Sequence, residues 1–123
     1  MPYTTTGGNC MAYQRGDVLL VPFPFSDLSA AKVRPAVVIS SSHYHSTQPD
    51  ILLAAITSKI SVAPDLLDYS LSDWRSAGLR YPSAFKPVLF TLEPGRVILH
   101  IGKLTTADMA EINSRLRLAL DLR

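Results

Sequence analysis

The feature that most constrains the fold of this chain is a series of short apolar runs, each closed by proline, glycine or polar residues. Three of these runs are Val18–Val21, Pro35–Ser40 and Ile51–Thr57. Their length and their β-branched residues predict β-strands. The second and third runs are apolar on both faces, which predicts central positions in a sheet. Pro22 and Pro24 cannot donate ladder hydrogen bonds, so the first strand should end or leave the sheet there.

The second half of the chain predicts three further strands. Apolar and polar residues alternate over Leu67–Leu71, which predicts a half-exposed strand, and Gly78 marks a turn after it. Val88–Leu92 and Arg96–Gly102 flank Glu93–Gly95, a turn with proline and glycine in the usual order. We therefore expect these last two strands to pair as a hairpin. The polar segments 26–32, 41–50 and 58–65 are predicted to be loops.

Helical periodicity occurs only at the end of the chain. Thr105, with Asp108 three residues later, predicts a helix N-cap of the capping-box kind. Apolar residues then recur at spacings of three and four, at Met109, Ile112, Leu116 and Leu120. Six strands followed by one helix predict a mainly β (α+β) fold, a small curled sheet or barrel capped by a helix. We expect a single domain over residues 14–123 and a flexible N-terminal arm over residues 1–13.

Composition narrows the classes of function. A chain of 123 residues with 47% hydrophobic residues is one domain with a core of its own. No apolar stretch reaches the roughly 20 residues of a membrane-spanning helix, and no secretory signal is visible. Cys10 is the single cysteine, which excludes an internal disulfide and a multi-cysteine zinc site. We expect a cytoplasmic protein with no membrane partner.

Motifs for cofactors and metals are absent from the sequence. It contains neither a glycine-rich phosphate loop nor the hydrolase and metalloprotease motifs. His43 and His45 are close enough in sequence to share a metal, but spacing provides no third ligand, and His100 lies in an apolar strand, where a hydrogen-bonded structural role is expected. The chain is therefore expected to need no cofactor and no metal.

Charge leaves two interpretations open. The formal net charge is +2, with twelve basic and ten acidic residues, and arginine is more frequent than lysine. Arginine binds phosphate through its planar fork, which is compatible with a nucleic-acid partner, but a mixed solvated surface explains the same balance. Arg34 is the most informative position, because it stands at the mouth of an otherwise apolar strand. It can bind an anion or form an ion pair with Asp17 or Asp27.

An ordered set of motifs resembles the MazF/PemK toxin family, the endoribonucleases of bacterial toxin–antitoxin pairs. The motifs are Arg15–Val18, Lys32–Ile39, Ala54–Ser58, Gly78–Ser83, Thr91–Leu92 and Ile101–Leu104. They extend over nearly the whole chain, from about residue 14 to 120. The resemblance implies a small SH3-like β-barrel of the CcdB/PemK type with a C-terminal α-helix, in accord with the pattern of strands and helix.

The resemblance also implies a reaction. The 2′-hydroxyl of single-stranded RNA attacks the adjacent phosphate without a metal and leaves a cyclic phosphate and a 5′-hydroxyl end. Arg34 and Thr57 fall on the family's catalytic positions: Arg34 would stabilise the pentavalent phosphate, and Thr57 would donate a hydrogen bond to it. Some relatives carry an arginine and an aspartate on the strand that here reads Val88–Leu92. Because these charges are missing, two alternatives stay open: other residues serve as general acid and base, with His43, Asp27 and Glu93 as candidates, or the activity is reduced.

Further residues and partners follow from the same resemblance. Phe23 and Phe25, in the loop after the first strand, can stack on RNA bases or anchor that loop to the core. The residues expected to bind RNA are Phe25, Asp27, Lys32, His43, Tyr44, Ser58, Lys59 and Lys86. The expected protein partners are a cognate antitoxin, whose acidic segment would cover the RNA groove, and a second copy of the chain in a homodimer.

Two rival functions remain on the same fold. One is a gyrase-inhibiting toxin like CcdB, which binds a protein and is not an enzyme. Such toxins use a C-terminal Trp-Gly-Ile type ending, whereas this chain has its only tryptophan at Trp74. The other is a catalytically inert SH3-like binding module.

Overall fold

The computed structural model describes residues 13–23 and 32–123. Within them the chain forms six strands, β1 (Asp17–Pro22), β2 (Val33–Val38), β3 (Ile51–Thr57), β4 (Tyr69–Ser70), β5 (Ala84–Leu92) and β6 (Leu99–Lys103). Two α-helices, α1 (Ser42–Thr47) and α2 (Thr106–Leu120), and a 3₁₀ turn at Pro94–Arg96 complete this part of the fold. All of the predicted N-terminal arm except Tyr13, and nearly all of the predicted loop 26–32, lie outside the described residues.

The strands form one antiparallel sheet in the order β4-β5-β3-β2-β1-β6. It is a curled half-barrel with a C-terminal helix, which confirms the predicted fold class. The predicted central positions of β2 and β3 are confirmed, and β3 has the predicted bounds. β5 begins earlier than predicted, at Ala84, and is irregular opposite Ala55, where Pro87 lacks the N–H that a regular ladder needs. In the part of the chain that the structure describes, no helix is long and apolar enough to span a membrane.

The predicted hairpin between the last two strands is wrong. β5 pairs with β3 on one side, and on the other side β4 pairs only with Ala84 and Phe85. The 3₁₀ turn redirects the chain, and the Ile98 N–H donates to the Leu20 carbonyl at 2.9 Å. β6 therefore pairs with β1, and the proline–glycine turn begins a crossover between distant strands.

The prediction of a loop over residues 41–50 is also wrong, because this segment contains the short helix α1. The Ser41 hydroxyl accepts from the Tyr44 N–H at 3.1 Å and caps the helix N-terminus. The Gln48 N–H donates to the Tyr44 carbonyl at 2.9 Å at the other end. α1 buries none of its residues, so it lacks the apolar periodicity from which a helix is normally predicted. The strand predicted at Leu67–Leu71 is reduced to the two residues of β4.

Alternation along the strands creates two apolar clusters on opposite faces of the sheet. The helix-side core consists of buried residues that include Val37, Ile56 and Phe85 from the sheet and Ile112 and Leu116 from α2. The second core lies on the other face and consists of Leu19, Val21, Ala36, Val38, Ile51, Leu53, Phe90 and Leu92, with Tyr13, Phe23 and Val97 packed against it. Both faces of the central strands are therefore buried, as their continuous apolar sequence predicts.

Asp108 anchors α2 to the segment after β4. Thr105 caps the helix as predicted, since its hydroxyl accepts from the Asp108 N–H at 3.1 Å. The Asp108 carboxylate is fully buried and accepts from the Tyr69 hydroxyl at 2.6 Å, the Ser72 hydroxyl at 2.8 Å, and the Ser72 and Asp73 N–H groups at 3.0 and 3.1 Å. Burial alone would raise the pKa of Asp108, but these hydrogen bonds outweigh it and hold the pKa below its ordinary value.

Gly78 and Gly102 allow the two ends of the sheet to approach each other closely. The segment after β4 lies against β6, where a Cβ on Gly78 would be 1.9 Å from the Ile101 carbonyl oxygen. A Cβ on Gly102 would likewise be 2.1 Å from the Ala77 carbonyl oxygen. Gly78 also has a φ of +86°, which confirms the turn predicted there. We call this backbone-to-backbone contact the glycine clasp.

Candidate active site

The β2–β3 ladder brings Arg34 and Thr57 to the same end of the sheet. The paired part of the ladder ends at Ala36 and Ala55, and Arg34 and Thr57 each lie two residues beyond it on β2 and β3. Both residues are half-buried. Side chains alternate along a strand, so Arg34 shares a face with Ala36, and its neighbour on β1, Val21, belongs to the second core. The two residues predicted to be catalytic thus lie at the same end of the sheet.

Arg34 rests on an aromatic ring. Its guanidinium carbon lies 5.6 Å from the centroid of Phe23, and Phe23 meets Phe90 edge-on at 5.4 Å. Phe90 belongs to the second core. The cation–π contact with Phe23 therefore connects the Arg34 guanidinium to that core.

The ion pair considered for Arg34 with Asp17 does not form. Asp17 lies at the other end of β1, 3.4 Å from the Lys103 ammonium and 3.5 Å from the His100 imidazole. Asp27, the other partner considered, lies outside the described residues. Among the residues that are described, no carboxylate pairs with Arg34.

The Thr57 side chain is oriented by the backbone of the residues that follow it. Its Oγ1 accepts from the Lys59 N–H at 3.0 Å. A hydroxyl has one proton and two lone pairs, so this contact leaves the proton free to donate. Ser58 and Lys59 are exposed and follow directly. The end of β3 therefore presents a hydroxyl donor and a cationic side chain together.

Two more of the predicted RNA-binding residues, Lys32 and Lys86, lie at this end of the sheet. Lys32 is exposed two residues before Arg34. Lys86 follows Phe85, which pairs with Ile56, but its ammonium is 3.0 Å from the Asp68 carboxylate. The charge of Lys86 is therefore partly compensated within the chain.

Three candidates from the sequence lie at the opposite end. His43 and Tyr44 are in α1, which follows β2 at the end where β3 begins, and Glu93 follows Leu92, the neighbour of Ile51. The seven residues of β3 separate that end from Thr57 by about 20 Å. These residues therefore do not contact a phosphate held by Arg34. Phe25 and Asp27 lie outside the described residues.

Sequence reasoning missed an exposed phenol. Tyr81 is 66% exposed and precedes Ala84, which pairs with Thr57. Three residues of chain span at most about 10 Å, so Tyr81 lies near the same end of the ladder. The sequence contained one signal for Tyr81. The residue lies between Arg80 and Pro82, within the motif Gly78–Ser83.

The histidines have structural contacts. The His45 Nε2 lies 2.5 Å from the buried Ser40 hydroxyl, which also accepts from the Leu52 N–H at 3.0 Å. Burial lowers the pKa of His45, although the charge of Asp17 opposes this shift. Within residues 13–23 and 32–123, no group of three or more histidine, cysteine, aspartate or glutamate residues could hold a metal ion.

Comparisons with known proteins agree with this fold. A family model described as the PemK-like, MazF-like toxin of type II toxin–antitoxin systems matches residues 14–120. A mycobacterial endoribonuclease solved with its cognate antitoxin is similar in structure, with a TM-score of 0.72 and 19% identity over 91% of this chain and 98% of that chain. A second mycobacterial endoribonuclease gives 0.69 and 22% identity over 91% and 94%. A MazE–MazF structure from Deinococcus radiodurans gives 0.71 and 16% identity over 92% and 100%. No curated protein matches the chain in sequence.

Proposed function

Because this chain belongs to the PemK-like, MazF-like toxin family of type II toxin–antitoxin systems, we propose that it is an endoribonuclease. It cleaves single-stranded RNA, mRNA above all, at specific sequences without a metal. The products carry 2′,3′-cyclic phosphate and 5′-hydroxyl ends. Cleavage takes place in the cytoplasm and stops translation and growth.

The observation that supports the proposal is that Arg34 and Thr57 lie at the same end of the antiparallel β2–β3 pair. A phosphate between them meets a guanidinium with no carboxylate partner among the described residues and a hydroxyl whose oxygen is already engaged by Lys59. Both groups stabilise the charge that develops on the non-bridging oxygens as the 2′-oxygen attacks phosphorus. Donors fixed by the fold need little reorganisation during the reaction, which is the usual source of such catalysis.

Two protons must also move during cleavage. The attacking 2′-hydroxyl loses one as the new P–O bond forms, and the departing 5′-oxygen gains one as the old P–O bond breaks. A guanidinium stays protonated in proteins, so we assign Arg34 an electrostatic role rather than that of general base. His43 and Glu93 are too distant for either transfer. The phenol of Tyr81 is the titratable group at this end that the structure adds to the candidates.

RNA binding extends outward from this pair. Lys32, Ser58 and Lys59 lie beside it and would contact the adjoining backbone, while Phe23 presents a partly exposed ring. His43 and Tyr44 contribute only where the RNA runs the length of β3. We further propose that the antitoxin lays an acidic segment over this end and competes with RNA, so both affinities weaken as salt rises.

The test is incubation of the purified protein with a long RNA in EDTA, followed by mapping of the new ends. Cleavage with 5′-hydroxyl ends is expected. Intact RNA together with inhibition of gyrase would support the CcdB-like alternative, and neither activity would support an inert module. Competition is measured with an RNA that carries a 2′-deoxy group at the cut site. Unchanged RNA binding at saturating antitoxin would contradict overlap of the two sites.

A further inference from the structure

Phe23 is fixed at the point where β1 ends. Its N–H donates to the Lys32 carbonyl at 2.8 Å, which continues the pairing of β1 with β2 beyond the last residues of the two strands. Pro24 follows it in the sequence, and a residue before proline is restricted to extended backbone. Because side chains alternate along extended backbone, the Phe23 ring lies on the same face as Val21, two residues earlier.

The core holds the ring of Phe23 as well. Phe23 packs against the second core, to which Val21 also belongs. Its ring meets the ring of Phe90 edge-on, with 5.4 Å between the centroids, and Phe90 is only 8% exposed. Edge-to-face pairs of this kind add to the stabilisation that apolar burial provides. Both the backbone and the ring of Phe23 are therefore held in place by the sheet.

Arg34 is the diagonal neighbour of Phe23 in the β1–β2 ladder. Arg34 is opposite Val21, and Phe23 lies two residues beyond Val21 on the same face. Diagonal neighbours in an antiparallel pair are within reach of aromatic and long side chains. The Arg34 guanidinium carbon accordingly lies 5.6 Å from the centroid of the Phe23 ring, within the range of a cation–π contact. The register of the two strands thus creates this contact.

An aromatic ring supports a cation differently from a carboxylate. A carboxylate partner would neutralise the charge of Arg34 and occupy N–H donors of its guanidinium. The face of a ring attracts the cation without taking its charge away, and the donors lie in the plane of the guanidinium. An arginine side chain is long and flexible, so a contact that fixes it before the substrate binds favours the reactive geometry.

We propose that Phe23 is a positioning residue for cleavage, whose ring sets the place of the Arg34 guanidinium beside the scissile phosphate. The inference rests on the proposed endoribonuclease function and adds to it a residue that acts through Arg34. It gives Phe23 a role other than stacking on an RNA base or only anchoring the chain to the core. The ring face that the guanidinium covers is not available to a base.

The first measurement is the single-turnover rate of RNA cleavage. Phe23→Leu removes the ring and keeps apolar bulk, so the guanidinium loses its support. We expect the rate to fall about 10- to 100-fold, because small displacements of a catalytic group are costly. Phe23→Tyr keeps the ring and should stay within about threefold of the wild type. A Phe23→Leu variant that cleaves as fast as the wild type would overturn the proposal.

A double-mutant cycle separates positioning from direct contact with RNA. The measured quantity is the affinity for an RNA that carries a 2′-deoxy group at the cut site. In the wild-type background, Phe23→Leu should weaken binding about 3- to 30-fold, the scale of one cation–π contact. In the Arg34→Ala background it should change binding less than about twofold, because no guanidinium is left to position. Equal losses in both backgrounds would show that the ring contacts RNA directly and would contradict the positioning role.

A spectroscopic measurement on the protein without RNA tests the contact itself. The ring current of Phe23 should shift the resonances of the Arg34 guanidinium protons upfield in the wild type and in Phe23→Tyr. The shift should disappear in Phe23→Leu, and Arg34→Lys assigns the resonances by removing them. Unshifted resonances in the wild type would overturn the proposal.

Tyr13→Leu is the matched control. Tyr13 also packs against the second core, but it precedes β1 and so lies at the other end of that strand from Phe23. Its loss should leave the cleavage rate within about twofold of the wild type. Thermal unfolding is measured for each variant. Phe23→Met fills the space with a flexible side chain and provides the same test where leucine packs poorly.

The two proposals fail in different ways. A wild type that leaves RNA intact contradicts the proposed function, and the ring-current shift then still shows whether Phe23 holds Arg34. A wild type that cleaves RNA, together with a Phe23→Leu variant that cleaves equally fast, contradicts only the positioning role.

Discussion

Arg34 and Asp108 are two charged residues that the fold partly or fully buries, and they differ in the contacts that their charged groups make. Asp108 is fully buried and accepts four hydrogen bonds from three residues. Arg34 is half-buried, rests on Phe23, and has no carboxylate partner among the described residues. A buried charge whose hydrogen bonds are all made contributes to stability and has no capacity left for a ligand. A charge held on an aromatic ring, with no carboxylate partner in the described part of the chain, keeps that capacity.

The sharpest test of this contrast is Arg34→Ala. We expect it to abolish RNA cleavage and to leave the thermal unfolding temperature nearly unchanged, because it removes a charge with few internal partners. Arg75→Ala is the matched control, since the Arg75 guanidinium also lies over an aromatic ring, 4.9 Å from the centroid of Trp74. Cleavage that survives in Arg34→Ala would remove the central assignment.

Asp108→Ala should show the reverse behaviour. It leaves the Tyr69 and Ser72 hydroxyls and two backbone N–H groups without their acceptor, which should cost about 3 kcal/mol of unfolding free energy or more. Specific cleavage activity of the remaining folded protein should be retained. Urea unfolding measures the change, and Asp65→Ala, at an exposed position, should stay within about 0.5 kcal/mol of the wild type. Equal stability of Asp108→Ala and wild type would contradict the anchoring role.

The contact between the Asp108 carboxylate and its hydrogen-bond donors should weaken in acid. Folding lowers the pKa of Asp108, so its contribution is present above the unfolded-state value of about 4 and is lost as pH falls through the folded-state value. The stability difference between wild type and Asp108→Asn should therefore shrink below about pH 4. A difference that stays constant to pH 2 would exclude this linkage.

Thr57→Ala should have a smaller effect on cleavage than Arg34→Ala. Loss of one pre-oriented donor typically costs about 10- to 1000-fold in turnover. Thr57→Ser keeps the hydroxyl and should recover most of the rate. Thr91→Ala, at an exposed strand position at the far end of the sheet, is the control and should cleave as the wild type does. A loss as complete as that of Arg34→Ala would make Thr57 essential rather than supporting.

His45 should give the smallest effect. Burial lowers its pKa, so its stabilising contribution is complete above the unfolded value of about 6.5 and declines as pH falls below it. The slope of stability against pH between 7 and 5 should therefore flatten in His45→Gln. An identical slope in His45→Gln and the wild type would show that His45 is not linked to folding.

The sequence predicts the centre of this fold better than its ends. β2 and β3 are continuous apolar runs whose burial on both faces leaves few alternatives, and their register follows from their antiparallel pairing. The partner of β6 is β1, which lies across the sheet from β5. A local proline–glycine pattern contains no information about such a distant choice. α1 was missed because its signal is one capping serine without an apolar face.

The candidate site divides in the same way. Arg34 and Thr57 are predicted from motifs, and the antiparallel order of β2 and β3 sets them at the same end of the sheet. His43, Tyr44 and Glu93 are predicted for the same site because the sequence does not fix the position of a loop. The direction of the strands sets these three residues at the opposite end of the sheet. The partners of Lys86 and Asp17 were equally invisible, because each pairs with a residue far away in the chain.

The glycine clasp sets how closely the segment after β4 approaches β6. At Gly78 and Gly102 the two segments meet backbone against backbone, so their spacing depends on peptide geometry and not on the size of a side chain. A methyl group at either glycine would overlap a carbonyl oxygen of the other segment and force the two segments apart. Alanine at either position would therefore disturb the way in which the half-barrel closes.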